Sequence, residues 1–266
     1  MIIGHRGASA LAPENTLAAF ARALDDGADG VELDVQLARD GVPVVIHDPT
    51  LWRTGLCEGA VTRMTSNELA RTSVGEWFNC AHPKLARQEY LDATVPTLDQ
   101  VFDSFSRSVT PSATRAVVYI EMKTEDAEES SGDLARSVVQ LVNAHSLQSR
   151  VVVVSFNLKA IAQIKQIDSA INTGALFKPK RNLGNVVRKQ RMVDSAVDCG
   201  ADEILLHRLI AGPVTVRAAA SSNLRVVVWT VENPKWMRRG SNPGIHALIT
   251  NNPARMVEAS ATHFSL

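Results

Sequence analysis

Three cysteines in 266 residues, Cys57, Cys80 and Cys199, are odd in number and scattered. They make neither a disulfide framework nor a CxxC metal clip. A charge excess is also missing: Lys plus Arg total 28 and Asp plus Glu total 28, for a net charge of zero. That removes the electrostatic footprint of a nucleic-acid or anionic-membrane binder. Long apolar runs are missing too. Val151–Val154 and Val226–Trp229 fall far short of the ~20 residues that span a bilayer, so no stable membrane anchor is expected. The chain opens Met1-Ile2-Ile3-Gly4 straight into a strand-like run, so no leader is expected, and a reducing cytoplasmic home is the expectation. What is present is ordinary for a globular chain, 45% hydrophobic and 21% charged, which excludes disordered, collagen-like and coiled-coil classes.

Two kinds of segment alternate. Short β-branched runs read as buried strands at Ile2–Gly4, Gly30–Val35, Val117–Met122, Val151–Phe156, Ile171–Leu176, Glu203–Leu206, Arg225–Thr230 and Ala247–Thr250. Helical spacing lies between most of them. Leu17, Phe20, Ala21 and Leu24 follow an Asn15/Thr16 cap, with Gly27 as the stop, and the theme repeats at Leu134–Ala144, Leu158–Ile167, Val186–Cys199 and Val214–Ser222. Eight alternating strands predict an α/β chain folded as a closed (β/α)8 TIM barrel. An open doubly wound sheet would carry a Gly-rich phosphate turn after its first strand, and none is present. The whole chain, 1–266, reads as a single barrel domain.

One apolar run is left over. Val42–Ile46 follows the second strand too closely for a parallel crossover, and Asp40-Gly41 between them signals a hairpin. With those two residues as the turn, Asp34 would lie opposite His47, and Glu32 would share a face with Asp34. The stretch 51–95 reads as an insertion on the C-terminal face, where a barrel keeps its catalytic loops.

Charged and imidazole residues gather at the predicted strand ends: His5-Arg6, Glu32-x-Asp34, His47 and Glu121-x-Lys123. Singly, each has a plain reading, a hydrogen-bonded structural histidine, a solvated acidic face, or a cross-strand salt bridge. Asp40 and Asp48 read as turn residues, and His207 as structural. A barrel, however, opens all of these strand ends on one face. Three converging carboxylates need a balancing cation, and all-oxygen ligands suit Mg²⁺ or Ca²⁺. Two histidines beside it can act as base and acid, while Arg6 and Lys123 can hold an anion such as phosphate.

The stretches Ile3-Gly4-His5-Arg6-Gly7, Pro13-Glu14-Asn15-Thr16, Gly30-Val31-Glu32-Leu33-Asp34-Val35 and Val44-Val45-Ile46-His47-Asp48 closely resemble the glycerophosphodiester phosphodiesterases. Later markers extend the resemblance over nearly the whole chain: Val95-Pro96-Thr97-Leu98, Ile120-Glu121-Met122-Lys123, Ser155-Phe156, Val228-Trp229-Thr230 and Ile249-Thr250-Asn251-Asn252-Pro253. The resemblance implies hydrolysis of small-molecule glycerophosphodiesters to sn-glycerol 3-phosphate and an alcohol with one divalent cation, Mg²⁺ or Ca²⁺. It implies His5 and His47 as the catalytic pair and Glu32, Asp34 and Glu121 as metal ligands. Arg6 and Lys123 would bind phosphate, and Phe156 and Trp229 would wall the pocket. The chain departs from the family at Asn251, where an Asp is usual, and at His246-Ala247, where Asp-Gly is common. Neither departure is expected to touch the catalytic set.

In the expected mechanism His5 takes a proton from water or a neighbouring glycerol hydroxyl, and His47 protonates the departing alcohol. Three rivals are weighed against it. A lysophospholipase D on the same site would want an apolar lip, for which the insertion offers Trp52, Trp77 and Phe78 but no basic amphipathic helix. A barrel that only binds phosphodiesters is disfavoured by the intact histidines and carboxylates, and a metal-bearing sugar isomerase by having only three carboxylates. The alcohol preferred and homo-oligomer formation are left open.

Overall fold

A computed structural model of the chain describes residues 1–107, 116–124, 128–179, 186–240 and 244–261. Among these residues nine strands form one sheet: β1 (Ile2–His5), β2 (Gly30–Leu37), β3 (Pro43–Val45), β4 (Val117–Met122), β5 (Val151–Ser155), β6 (Asn172–Phe177), β7 (Glu203–His207), β8 (Arg225–Trp229) and β9 (Ile245–Thr250). The order β1-β9-β8-β7-β6-β5-β4-β2, closed by β1 on β2, makes an eight-stranded parallel barrel, and β3 lies antiparallel on β2. The major helices between strands are α1 (Leu17–Asp25), α5 (Leu98–Arg107), α6 (Glu128–Ala144), α7 (Leu158–Ile167), α8 (Val186–Asp198), α9 (Pro213–Ser221) and α11 (Pro253–Ala261), with α10 (Lys235–Gly240) shorter. Three helices, α2 (Ser66–Leu69), α3 (Glu76–Ala81) and α4 (Gln88–Leu91), fall in the stretch after the hairpin.

Strand alternation sorts the core into layers. Ile3, Tyr119, Val152, Val154, Leu176, Leu205, Val227, Ala247 and Ile249 meet inside the barrel, whereas Val31, Leu33, Val35, Val118 and Ile120 pack outward against the helices. Glu32 and Asp34 therefore share the inward face with Tyr119 and Glu121. In register, His5 sits beside Glu32, and Asp34 beside Glu121. The α1 helix buries Ala19, Phe20, Ala23 and Leu24, and leaves Leu17 and Ala21 exposed. Its packed face is thus rotated from the expected one, because its small alanines carry little apolar signal. Gly7, at φ 81°, passes so close to α1 that a Cβ there would stand 2.5 Å from the Ala19 carbonyl carbon. Only glycine lets the chain turn so tightly beneath β1.

The hairpin is real but its register differs from the expected one. Val35 pairs with Val45 and Leu37 with Pro43, and Ala38 N–H donates to Val42 C=O at 3.0 Å. The loop is therefore the three residues Arg39-Asp40-Gly41, with Gly41 at φ 76°, and Asp34 faces Ile46, not His47. A three-residue loop closed by a left-handed glycine is the next hairpin type after the two-residue turn. Asp40 does occupy the turn, and its carboxylate also accepts from the Ser66 N–H at 3.1 Å. The stretch 51–95 packs on the hairpin through Leu51, Val61, Leu69 and Val74, and on α1 through Phe78 and Tyr90.

Candidate active site

The C-terminal ends of the strands open into a cavity of about 630 Å³ lined by His5, Arg6, Glu32, His47, Glu121, Lys123, Phe156 and Trp229 among others. Asp34 lies just beneath, fully buried. All nine residues expected for the site on sequence grounds are therefore in or against one mouth.

Its acidic floor is tight. Glu32, Asp34 and Glu121 each offer an oxygen within 4.8 Å of the others, and all three are buried. Burial, with the neighbouring Asp34 charge, pushes Glu32 up to about 8 and Glu121 up to about 7. Burial alone would raise Asp34 as well, but Lys123 and Arg6 hold it well below the usual carboxylate range. Asn15, at φ 57°, completes the clamp: its Nδ2 donates to Asp34 Oδ2 at 2.8 Å and its Oδ1 accepts from the Asp34 N–H at 3.2 Å. Thr16, whose Oγ1 accepts from the Ala19 N–H, caps α1 alone, so Asn15 serves the site and not the cap.

Two cations meet this floor. Lys123 Nζ contacts Glu121 and lies 2.9 Å from Asp34 Oδ1, and these carboxylates raise its pKa against the opposing effect of burial. Arg6, at φ 54°, donates its backbone N–H to Glu32 Oε2 at 3.0 Å, and its Nε lies 3.1 Å from Asp34 Oδ2, off the line of a hydrogen bond. Glu14 braces the Arg6 guanidinium at 2.7 Å and is itself held by Arg53 from the stretch 51–95.

The histidines are each anchored through Nδ1, but by different groups. His47 Nδ1 is 2.6 Å from Asp48 Oδ1, whose other oxygen accepts from Arg53 Nε at 2.6 Å. Asp48, read from sequence as a turn residue, is thus the histidine's partner. His5 Nδ1 is 2.6 Å from Asn251 Oδ1, so the departure at Asn251 does touch the catalytic set, contrary to the sequence expectation. The reason is the barrel's closure: β9 pairs with β1, which carries Asn251 to His5 across 246 residues. Burial lowers the pKa of both imidazoles, with Arg6 adding to the effect at His5. Gln36 secures the approach of His47, its Nε2 lying 3.0, 3.1 and 2.9 Å from the carbonyls of Ile46, His47 and Asp48.

The far half of the mouth is aromatic. Phe156 and Trp229 meet edge to face at 5.6 Å, His207 packs on Trp229 at 5.2 Å, and Lys178 Nζ lies 4.8 Å from the Phe156 ring centre. In the stretch 51–95 Phe78 is fully buried, Arg53 covers Trp77, and Trp52 stands 61% exposed. Among the described residues no helix is long and apolar enough to cross a membrane. Asn15, Glu14, Asp48, Arg53 and Asn251 escaped sequence reasoning as site residues. Glu14, Asn15, Asp48 and Asn251 lie within the quoted stretches, which was their one legible signal, and Arg53 lies outside them.

The chain that carries this arrangement matches known proteins over nearly its full length. Residues 5–255 match the model of the glycerophosphoryl diester phosphodiesterase family. A glycerophosphodiester phosphodiesterase of Bacillus subtilis is 30% identical over 263 residues, covering 95% of this chain and 84% of the relative. One from Caldanaerobacter subterraneus is 28% identical, covering 97% and 96%. Among solved structures, a glycerophosphodiester phosphodiesterase of Agrobacterium tumefaciens superposes with a TM-score of 0.76 at 26% identity, covering 97% of this chain and 98% of that one. An Oleispira antarctica phosphodiesterase in complex with the product sn-glycerol-3-phosphate superposes at 0.82 with 24% identity, covering 97% and 96%. The chain belongs to the glycerophosphoryl diester phosphodiesterase family, and is an enzyme that hydrolyses phosphoric diesters.

Proposed function

We propose that this enzyme cleaves soluble glycerophosphodiesters to sn-glycerol 3-phosphate and an alcohol, using His5 as base, His47 as acid and one divalent cation, Mg²⁺ or Ca²⁺. The observation that carries this reading is the asymmetry of the two imidazoles above one acidic floor: His47 is backed by a carboxylate and His5 by an amide. A carboxylate partner favours imidazolium, the form that donates a proton, while an amide leaves a neutral ring able to accept one.

The floor fits a hard cation. Its donors are all carboxylate oxygens, gathered within 4.8 Å, and Asp34 Oδ1 is buried without an aligned hydrogen bond. Glu32, Asp34 and Glu121 would hold the cation, which when bound supplies charge neutralisation at the phosphate oxygens. Arg6 and Lys123 grip the same anion, Arg6 by its guanidinium and Lys123 as a point charge. His5 takes the proton from water or from the neighbouring glycerol hydroxyl. His47 returns a proton to the leaving alkoxide, so the alcohol departs neutral. Phe156 and Trp229 wall the side of the mouth away from the hairpin and exclude water from the substituent they cover. Phe78 is buried and Trp77 is covered by Arg53, so of the three aromatic residues that a lipid-binding lip would use only Trp52 stands exposed, which favours soluble substrates over lysophospholipids.

The test is a panel of glycerophosphodiesters, run after chelation and again with Mg²⁺, Ca²⁺ or Mn²⁺, with both products identified. Metal-dependent release of sn-glycerol 3-phosphate supports the reading. Full activity in chelator removes the cation, and release of a phospho-alcohol with free glycerol means that the other ester bond breaks.

A further inference from the structure

The loop after β9 holds a side chain that lies outside the cavity lining yet contacts one of the histidines that line it. Asn251 follows β9 directly, and its backbone is clamped from two sides. Its N–H donates to Glu232 Oε1 at 3.1 Å, and its C=O accepts from the Ala10 N–H at 3.0 Å. Its Oδ1 receives two groups, His5 Nδ1 at 2.6 Å and Ser9 Oγ at 3.0 Å. An amide oxygen only accepts, so the ring nitrogen facing it carries the hydrogen. The other nitrogen, His5 Nε2, is then bare in the neutral ring, and it points at the acidic floor, 3.9 Å from Glu32 Oε2.

We infer that Asn251 is a positioning residue, which fixes the Nδ1–H tautomer and the ring orientation of His5 so that Nε2 presents its lone pair to the reacting hydroxyl. A base must meet the proton it removes at hydrogen-bond distance, and a ring free to spin or to change tautomer spends part of its time offering an N–H instead. Ser9 supports the arrangement: its hydroxyl contacts both the His5 C=O, at 2.8 Å, and the Asn251 Oδ1, which ties the amide's direction to the backbone of the histidine it serves. This rests on His5 acting as the base, and the test separates the two.

The experiment has a spectroscopic arm and a kinetic arm. Nitrogen-15 spectra of the histidine side chains, with His5 assigned by difference against His5→Gln, report which ring nitrogen bears hydrogen. The expected result is hydrogen on Nδ1 in the wild type and a mixed or reversed tautomer in Asn251→Ala. In kinetics Asn251→Ala loses kcat by about tenfold or more of the ~10²–10⁴ that a placed acid–base group contributes, while KM stays within about twofold. Asn251→Asp keeps an acceptor facing Nδ1, so it retains the wild-type tautomer and is the faster of the two variants. Hydrogen on Nε2 in the wild type overturns the proposal, because the amide then donates to the ring. So does Asn251→Asp as slow as Asn251→Ala. The expected tautomer with unchanged kcat in Asn251→Ala overturns it too, and places the error in the role given to His5. If Asn251→Ala does not fold, the wild-type spectrum and Asn251→Asp decide.

Discussion

At the scale of single residues, the partner of an imidazole decides what it can do. His47 sits on Asp48 and His5 on Asn251, and this difference predicts a split that substrates can reveal. His5→Ala and His47→Ala should each lower kcat on an alkyl glycerophosphodiester by ~10²–10⁴. On an aryl ester, whose phenolate leaves without protonation, His47→Ala should recover most of its loss and His5→Ala none. Equal recovery by both, measured by phenolate release, would exchange or remove the roles. Lys123 invites a second prediction. It is held by Asp34 and Glu121 before any anion arrives, so its removal should have two effects. Lys123→Met should lower kcat/KM by ~10-fold or more and weaken inhibition by inorganic phosphate, in line with the ~1.5–3 kcal/mol of a hydrogen bond to a charged group. It should also lower the melting temperature in chelator, because Asp34 and Glu121 lose the ammonium that they contact, and a divalent ion should restore it. Unchanged phosphate inhibition with a melting loss that metal does not repair would make Lys123 a structural residue.

At the scale of elements, Gln36 shows how a strand places a catalytic loop. One side-chain amide reaches three successive carbonyls just where β3 ends, which turns the chain from hairpin to site. Gln36→Leu should cost ~1–3 kcal/mol for carbonyls left unpaired. It should also reduce kcat beyond what urea-unfolding stability explains, since His47 loses its seat. A variant with full kcat would show that the hairpin alone places His47. The same element marks where reading from sequence reached its limit. Eight strands and their order were legible because buried parallel strands are β-branched runs that helical spacing interrupts. Glu32, Asp34, Glu121 and Lys123 were legible because strand alternation puts residues two apart on one face. The hairpin register was not legible, because Asp40-Gly41 suits a two-residue turn and a three-residue loop alike, and one residue of slip moves every pairing. His47 was thus expected at the site through a pairing with Asp34 that the fold does not make. Asn251 and Arg53 were hidden for another reason. The His5 that Asn251 contacts lies 246 residues away and the Glu14 that Arg53 holds lies 39 residues away, separations that no local pattern encodes.

At the scale of the whole molecule, the acidic floor is a store of unfavourable charge inside a stable shell. The barrel interior below it holds an apolar layer with one buried carboxylate, Glu203, satisfied by Tyr119 and Arg225, and the helices outside bury a second apolar layer, so the floor can be strained without unfolding the chain. The strain has a definite pH dependence. Without a cation Glu32 is pushed up to about 8 and Glu121 up to about 7, whereas both titrate near the ordinary 4.5 when the chain is unfolded. The folded state therefore holds more protons than the unfolded state between those limits. Stability from these two groups is fully present below about 4.5 and is lost as pH rises through 7 and 8. Asp34 works in the opposite direction, but its lowered pKa places its effect in the acid, below the range of interest. A cation changes the balance, because it binds the ionised carboxylates and must displace the protons they hold. The metal-free enzyme should thus melt at a progressively lower temperature from pH 5.5 to 8.5, and the gain in melting temperature on adding Mg²⁺ or Mn²⁺ should grow over the same range. Calorimetry at pH 7 in buffers of different ionisation enthalpy should register proton release on metal binding, and the release should shrink in Glu32→Gln to the part that Glu121 supplies. A metal-induced gain that stays flat with pH, together with no proton release, would mean that the three carboxylates are already ionised in the empty enzyme and that Arg6 and Lys123 alone balance them.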